Sequence, residues 1–144
     1  MPQFTPNPEA EASASFDVVA PGAYQMRIEG SDNMDAVTPF TSKAGNECIK
    51  VRLVFADPSA ATKINGSPAT NPGSVIDAGL VISPADKQGK LRSLCEAAGL
   101  DWNMMNDTDD LIGRELTVKL KVEQYNGEDK NGVARYVVPA GSNV

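Results

Sequence analysis

The feature that most constrains the fold is an alternating segment near the end of the chain, residues 111–139, with the sequence LIGRELTVKLKVEQYNGEDKNGVARYVVP. From position 116 to 122, apolar residues alternate with threonine and lysine. Every second side chain of a β-strand lies on the same face, so this strand would have one apolar and one charged face. A polar stretch at 127–132 contains two glycines and predicts a loop, after which residues 133–138 return as a second strand. The segment predicts a β-hairpin with a basic, tyrosine-tipped outer surface.

Length and composition predict one compact domain. The chain has 144 residues, 41% of them hydrophobic, which is enough for one core and too short to expect two domains. Residues 1–15, rich in proline and small polar residues, predict a flexible arm; residues 16–140 form the predicted domain and 141–144 a short tail. No apolar run approaches the roughly 20 residues that span a bilayer, and the N-terminus lacks a signal-peptide pattern. We therefore expect a cytoplasmic protein with no membrane partner.

Few residues are available for catalysis. The chain has no histidine, which removes the commonest general base and a common metal ligand. Cys48 and Cys95 lie far apart in apolar stretches, and two buried thiols are favoured over a disulfide. Asp107, Asp109 and Asp110 lack the glycine and the later glutamate of an EF-hand loop, which favours a solvated acidic turn. With no phosphate-binding glycine motif either, the sequence predicts no enzymatic activity, no cofactor and no metal site.

The charge of the chain argues against indiscriminate binding to duplex DNA or anionic membranes. There are 13 basic and 19 acidic residues, for a net charge of -6. Seven of the nineteen acids lie in the leading segment and in one connection, which leaves twelve acids against thirteen bases elsewhere. These seven are Glu9, Glu11, Asp17, Asp101, Asp107, Asp109 and Asp110. A local basic groove therefore remains compatible with the sequence.

Three further strands are predicted upstream of the hairpin. Alternation at 24–28 predicts the first, and strict alternation at 48–56 predicts the second, with isoleucine, valine, leucine and phenylalanine on one side. The third lies at 74–82, with Gly79 as a bulge. Residues 31–47 have no sustained period and predict a long loop, and the small, polar residues at 58–73 predict a mobile connection.

One helix is predicted between the third and fourth strands. Ser83 would cap it, Pro84 suits its first position, and Asp86 completes a pattern similar to a capping box. Gly99 would end it. The resulting order, β-β-β-α-β-β, predicts a mostly β protein with one helix, arranged as a five-stranded OB-fold-like barrel. A β-sandwich and another small barrel remain alternatives.

Several fragments in this order resemble one family. They are APGAYQMRI, SKAGNECIKVRLVF, VIDAGLVIS, KLRSLCEAAGL and DDLIGRELTVKLKVEQYNGEDKNGVARYVVP, and they cover about residues 20–139. The set is similar to small phage-encoded OB-fold single-stranded DNA-binding proteins of replication and recombination modules. The resemblance implies single-stranded DNA as the ligand; a recombinase, a nuclease or replication proteins as candidate partners; and the host cytoplasm as the location. A homo-oligomer is compatible with it.

Sequence-tolerant binding of single strands needs cations that follow the phosphates and flat side chains on which bases stack. In an OB-fold these lie on the second and third strands and on the loops joining strands one to two and four to five. Lys50 and Arg52 have the outward register of the second strand, Phe40 and Lys43 lie in the first loop, and the others surround the second loop. The predicted contacts are Phe40, Lys43, Lys50, Arg52, Tyr125, Lys130, Arg135 and Tyr136.

Each candidate also has an interpretation without a ligand. Lysine and arginine on strands, including Lys119 and Lys121, increase solubility and protect edges. Phe40 would pin its loop, while Tyr125 and Tyr136 would form a cross-strand pair. Tyr24 is favoured as a core residue, and Trp102, with its methionine neighbours, as a cap on the core. The alternative functions are a protein-interaction or assembly module on the same barrel and, less favoured, a small enzyme or inhibitor acting on a nucleotide.

Overall fold

A computed structural model of the chain describes residues 3, 5, 6, 17–70 and 72–138. This part of the chain contains six strands, one α-helix and several 3-10 helices. The strands are β1 Gly22–Ile28, β2 Val37–Thr41, β3 Glu47–Phe55, β4 Val75–Ser83, β5 Glu115–Tyr125 and β6 Glu128–Val137, and the helix α1 is Gly89–Ala97. The 3-10 helices are Pro58–Ala60, Ala85–Lys87, Trp102–Met104 and Thr108–Leu111. The mostly β composition with a single helix is confirmed.

The strands form one antiparallel sheet organised around β3. β4 pairs with one edge of β3, and β1 and β2 pair one after the other with its opposite edge. β1 also pairs with β5, and β5 with β6. No backbone ladder joins β4 to β6 among the described residues, so the sheet is open. A six-stranded open sheet thus stands where the sequence predicted a five-stranded barrel.

The additional strand, β2, lies inside the segment that the sequence predicted to be a long loop. Its residues, VTPFT, pair with positions 47–51 of β3. Proline has no N–H to donate, and it is tolerated in an edge strand because the partner on that side is missing. β2 is such an edge strand, and Pro39 in it pairs with Ile49. Pro39 therefore made a short edge strand look like part of a loop in the sequence.

The hairpin at the end of the chain is tighter than predicted. β5 and β6 are joined by Asn126 and Gly127, both with positive φ, 52° and 83°. Two residues with left-handed φ form the turn that matches the twist of hairpin strands, and Asn-Gly is its preferred sequence. β6 consequently begins at Glu128, so most of the polar stretch 127–132 is strand and not loop.

The helix begins later than its sequence signals indicate. Ser83 still pairs with Glu47 as the last residue of β4, so it does not cap a helix, and α1 starts at Gly89 with no side-chain cap. The C-terminal prediction is confirmed: Gly99 has a φ of 81° and its N–H donates to the Glu96 carbonyl at 3.1 Å. The Leu100 N–H donates to the Cys95 carbonyl at 2.9 Å, which completes a Schellman motif.

The core lies between the inner face of the sheet and α1. The predicted inward set of β3 is confirmed, with Ile49, Val51, Leu53 and Phe55 all buried. Tyr24 packs against this core, and its ring meets that of Phe55 edge to face at 5.4 Å. Burial of each large apolar side chain contributes about 1.5–3 kcal/mol to folding, so this cluster is the main source of stability.

The connection between β3 and β4 is more ordered than its composition indicated. Ala61 and Ala69 are buried, and the Ala69 N–H donates to the Ala61 carbonyl at 3.0 Å. Val19 forms an isolated bridge with Lys63. These contacts fold part of the predicted mobile segment onto the core. Within the described part of the chain, no helix is long and apolar enough to cross a membrane.

Candidate nucleic-acid interface

The outward-facing residues of β2, β3 and β4 form one continuous surface, called here the β2–β4 face. Directly opposed residues of antiparallel strands point to the same side of a sheet. Phe40 opposes Cys48, which opposes Val81, and Arg52 opposes Ile76 on the neighbouring strand. Lys50 shares the register of Cys48 and Arg52 on β3. Three predicted contacts, Phe40, Lys50 and Arg52, are therefore brought together on this face.

The two cations of this face differ in their environment. Arg52 is half-buried, and its Nη1 donates to the Glu29 carbonyl at 2.8 Å, so the guanidinium is anchored at one end. Lys50 is half-buried too, and within the described residues no carboxylate pairs with its ammonium. Arg27 lies next to them, with its Nε 3.9 Å from the Glu29 carboxylate. The face therefore holds two cations, and Arg27 of β1, which opposes Val54 of β3, adds a third beside it.

Phe40 and Lys43 lie at the end of the β2–β3 hairpin. Phe40 is half-buried and pairs with Cys48, so it is part of a strand and not of the loop that the sequence predicted. Lys43 is exposed in the turn, which is held by hydrogen bonds between Ser42 and Asn46 and from Gly45 to Ser42. The turn places Lys43 at the tip of the hairpin. Phe40 lies near the end of β2, just before this turn.

The apolar members of this face were not singled out by sequence reasoning. Ile76 is 38% exposed beside Arg52, and Val81 is half-buried beside Cys48. Because they alternate with cations across neighbouring strands, they add apolar contact area between the charges. The signal that could have found them is the register of β4 opposite β3, which cannot be read from either strand alone.

The remaining candidates lie on the β5–β6 hairpin. Lys130 opposes Glu123, and Arg135 opposes Lys119, and all four are exposed on the outer side of the hairpin. The backbone of Tyr125 pairs with Glu128, while its side chain lies outside the described part of the structure. Lys130 therefore belongs to a strand and not to the predicted loop, whereas Arg135 lies on the strand that the sequence predicted.

Tyr136 is in the core and not on the surface. It is 4% exposed and opposes the buried Val118, so its ring offers no face to a base, and its cross-strand partner in the backbone register is Val118 and not Tyr125. The reason is a bulge: Lys119 opposes Arg135 but Leu120 opposes Val133, so β6 carries one extra residue, Ala134. The bulge reverses the alternation, which turns Tyr136 inward.

A buried polar cluster beside Tyr136 was also missed by sequence reasoning. The Asp77 carboxylate is 5% exposed and accepts hydrogen bonds from three donors. The Tyr136 hydroxyl donates at 2.5 Å, the Lys90 ammonium at 3.1 Å and the Gly79 N–H at 2.9 Å. The bulge predicted at Gly79 is confirmed by the register shift of β4 there. Burial, and then the neighbouring Asp77 carboxylate, raise the pKa of Tyr136 far above its usual range.

Within the described residues, the two cysteines and the acids around Asp107 form no catalytic arrangement. Cys48 and Cys95 are both buried free thiols, as predicted, and burial followed by the charge of Glu96 raises the pKa of Cys95 to about 11. A thiol with a raised pKa is a poor nucleophile. The Asp107 carboxylate accepts from the Asp109 N–H at 2.9 Å at the start of a 3-10 helix, in line with the predicted acidic turn. Among the described residues, no group of three or more metal-binding side chains comes together.

A groove of about 320 Å³ lies beside α1 at another part of the surface. Trp102 and Met105 line it and pack partly against the core, as predicted, whereas Met104 is 77% exposed.

No protein-family model matches the chain, and no curated protein matches it either.

Proposed function

We propose that the protein binds single-stranded DNA through the β2–β4 face, without enzymatic activity, and coats strands during phage replication or recombination. The observation that carries the proposal is the arrangement of Phe40, Lys50 and Arg52 on one outward face. The resemblance of the ordered sequence fragments to phage single-strand binders supports the same ligand and the biological setting.

The proposed mechanism combines backbone electrostatics with stacking. Lys50, Arg52 and, from the hairpin tip, Lys43 would follow the phosphates, and the ring of Phe40 would stack against a base. Stacking on an aromatic side chain contributes about 1–3 kcal/mol per base and tolerates any sequence. Tyr125, Lys130 and Arg135 remain proposed contacts on the second hairpin. The net charge of -6 confines phosphate binding to such local surfaces.

We further propose that the sheet is an OB-fold in which β1 and β2 together act as the first strand. In support, both pair with the same edge of β3, and residues 29–36 interrupt an otherwise continuous pairing. The single helix lies between β4 and β5, where an OB-fold has its helix. The Tyr136–Asp77 hydrogen bond links β6 to β4 at the position where a barrel would close.

Fluorescence anisotropy with a labelled oligothymidylate tests the proposal. An oligonucleotide of about 20 nucleotides exceeds the roughly 4–16 that one OB domain covers. We expect binding at low salt that weakens as salt rises, because bound cations release counterions from the strand. A duplex of equal length should bind more weakly. Absence of binding to the single strand at low salt would refute the proposed function.

A second candidate function is a protein-interaction module on the same fold, and the apolar groove beside Trp102 favours it. A recombinase, a nuclease or a replication protein would be the partner. A pull-down after complete nuclease digestion separates the two functions: a partner recovered without nucleic acid, together with no anisotropy change, favours the interaction module alone.

A further inference from the structure

The groove beside α1 has an apolar floor and a partly open top. Ile82 at the end of β4, Leu91 and Cys95 of α1, and Trp102 and Met105 of the following segment form its walls. Leu91 and Cys95 are buried, whereas the other three are half-buried and have surface left to cover. This surface, called here the Trp102 groove, has a volume of about 320 Å³, enough for one or two apolar side chains.

A second depression of about 300 Å³ continues from the first. It shares Ile82 with the Trp102 groove and extends to Pro39, Thr41 and Glu47 at the base of the β2–β3 hairpin. Two adjoining depressions suit a chain segment that crosses both, since alternate side chains of an extended peptide can enter successive pockets.

The charges around the two depressions have one sign. Among the described residues that line them, the charged ones are Asp107 in the Trp102 groove and Glu47 in the second depression. Asp101, Asp109 and Asp110 are exposed on the same connection as Asp107. No ion pair neutralises any of these carboxylates within the described residues. The complementary ligand is therefore cationic at its ends and apolar in its middle.

We propose that the Trp102 groove binds an extended peptide segment of a partner protein, in which apolar side chains are flanked by lysine or arginine. The apolar side chains cover Trp102 and Met105, and the flanking cations face Asp107 and Glu47. This site borders the β2–β4 face, since Phe40 and Cys48 also line its second depression, but it does not rest on the binding of single-stranded DNA. The repulsion between phosphates and these acids favours a peptide over a nucleic acid as its ligand.

Trp102 is the single tryptophan of the chain, so its fluorescence reports on the groove directly. The probe is a capped heptapeptide with a Leu-Phe-Leu centre and two lysines on each side. We expect a saturable blue shift of the Trp102 emission as the peptide displaces water from the indole. A peptide with a Ser-Gly-Ser centre, and one with glutamates in place of the lysines, should each bind at least about tenfold more weakly.

Charge reversal tests whether the two carboxylates select the charge of the ligand. The double variant Glu47→Lys with Asp107→Lys should bind the lysine-flanked peptide roughly tenfold more weakly than the unchanged protein does. It should bind the glutamate-flanked peptide more tightly. Asp32→Lys is the matched control, because Asp32 is an exposed acid in the loop after β1 and outside the groove lining. Equal effects of the control and the double variant would overturn the proposal.

Packing variants test the apolar part. Met105→Ser should lower the affinity for the lysine-flanked peptide by roughly tenfold. Met105→Leu should retain most of the affinity for this peptide. Thermal melts of both variants check that the fold is intact. The proposal fails if the emission of Trp102 does not respond to the peptide, or if oligothymidylate produces the shift instead.

Discussion

The Tyr136 hydroxyl donates a hydrogen bond to the Asp77 carboxylate at 2.5 Å, and both residues are almost completely buried. The contact joins β6 to β4, which lie at the two ends of the open sheet. Lys90 of α1 donates to the same carboxylate at 3.1 Å. One buried acid thus connects two strands and the helix by hydrogen bonds. Its removal would leave three donors without this acceptor.

Loss of the tyrosine hydroxyl should therefore destabilise the fold. We expect Tyr136→Phe to lower the free energy of unfolding by about 1–3 kcal/mol, since hydrogen bonds to charged groups are the stronger ones. Tyr24→Phe is the matched control: its half-buried hydroxyl donates to the neutral Ala20 carbonyl at 2.6 Å, and its loss should cost only about 0.5–1.5 kcal/mol. Urea unfolding of both variants measures the difference. A larger effect in the control would contradict this role of Asp77.

Stability should decline in alkaline solution. Burial raises the pKa of Cys95 to about 11 and also raises that of Tyr136, so both groups stay protonated in the folded chain where the unfolded chain ionises. The unfolded state then binds fewer protons, and the free energy of unfolding falls by up to about 1.4 kcal/mol per pH unit for each group. The stabilisation that these two protonated groups provide is fully present below about pH 8. The part due to Cys95 is lost as the pH rises towards about 11. Urea unfolding across this range tests the slope, which should be smaller in Cys95→Ala.

The native protein should be unreactive towards thiol reagents. Cys48 is 4% exposed and Cys95 is fully buried, and neither forms a disulfide. Ellman's reagent should label no thiol in the folded chain within minutes and both thiols in denaturant. Rapid labelling of Cys48 alone would show that the β2–β3 hairpin opens readily, because this buried thiol lies on β3 directly opposite Phe40 of β2.

Two glycines at the ends of α1 should respond in opposite directions to alanine. Gly99 has a φ of 81° with open space around it, so Gly99→Ala introduces backbone strain of about 1 kcal/mol and no clash. Gly89, the first helical residue, has no such conformation, and Gly89→Ala should stabilise by about 0.4–1 kcal/mol. Thermal unfolding compares them. A Gly99→Ala variant that is not destabilised would contradict the Schellman geometry, and a destabilised Gly89→Ala variant would contradict the expectation for the first helical residue.

Binding of single-stranded DNA should depend on particular cations. Lys50→Ala should weaken the complex and reduce the slope of log affinity against log salt by about 0.7, the value for one phosphate contact on a single strand. Lys121→Ala is the matched control, because Lys121 lies on β5 and already pairs with Glu123 at 2.8 Å. Anisotropy titrations at several salt concentrations provide both slopes. An equal change in the two variants would indicate a general charge effect.

The aromatic contribution should be separable from charge. Phe40→Leu keeps an apolar side chain in β2 but removes the ring, and we expect it to weaken single-strand binding by about 1–3 kcal/mol while the salt slope is unchanged. The thermal stability of the variant shows whether the hairpin is intact. Unchanged affinity would support the other interpretation of Phe40, as a residue that pins the hairpin to the core.

The sequence determined most of the strands and both buried cysteines by itself. Strict alternation in β1, β3 and β5 encodes which face is apolar, because the side-chain period of a strand is two. The helix end at Gly99 follows equally from local chemistry, since glycine adopts the left-handed backbone conformation that other residues avoid. These features depend only on neighbouring residues, and they were predicted from the chain alone.

Only the tertiary structure decided where the pairing departs from that regularity. Pro39 lies in a strand because β2 is at an edge, and Tyr136 points inward because Ala134 is an extra residue opposite Lys119 and Leu120. Both outcomes depend on a partner strand distant in sequence. The same holds for the buried Asp77 carboxylate, which is tolerated only because β6 and α1 supply its donors. Register between strands is a property of the assembled sheet, and a single strand does not contain it.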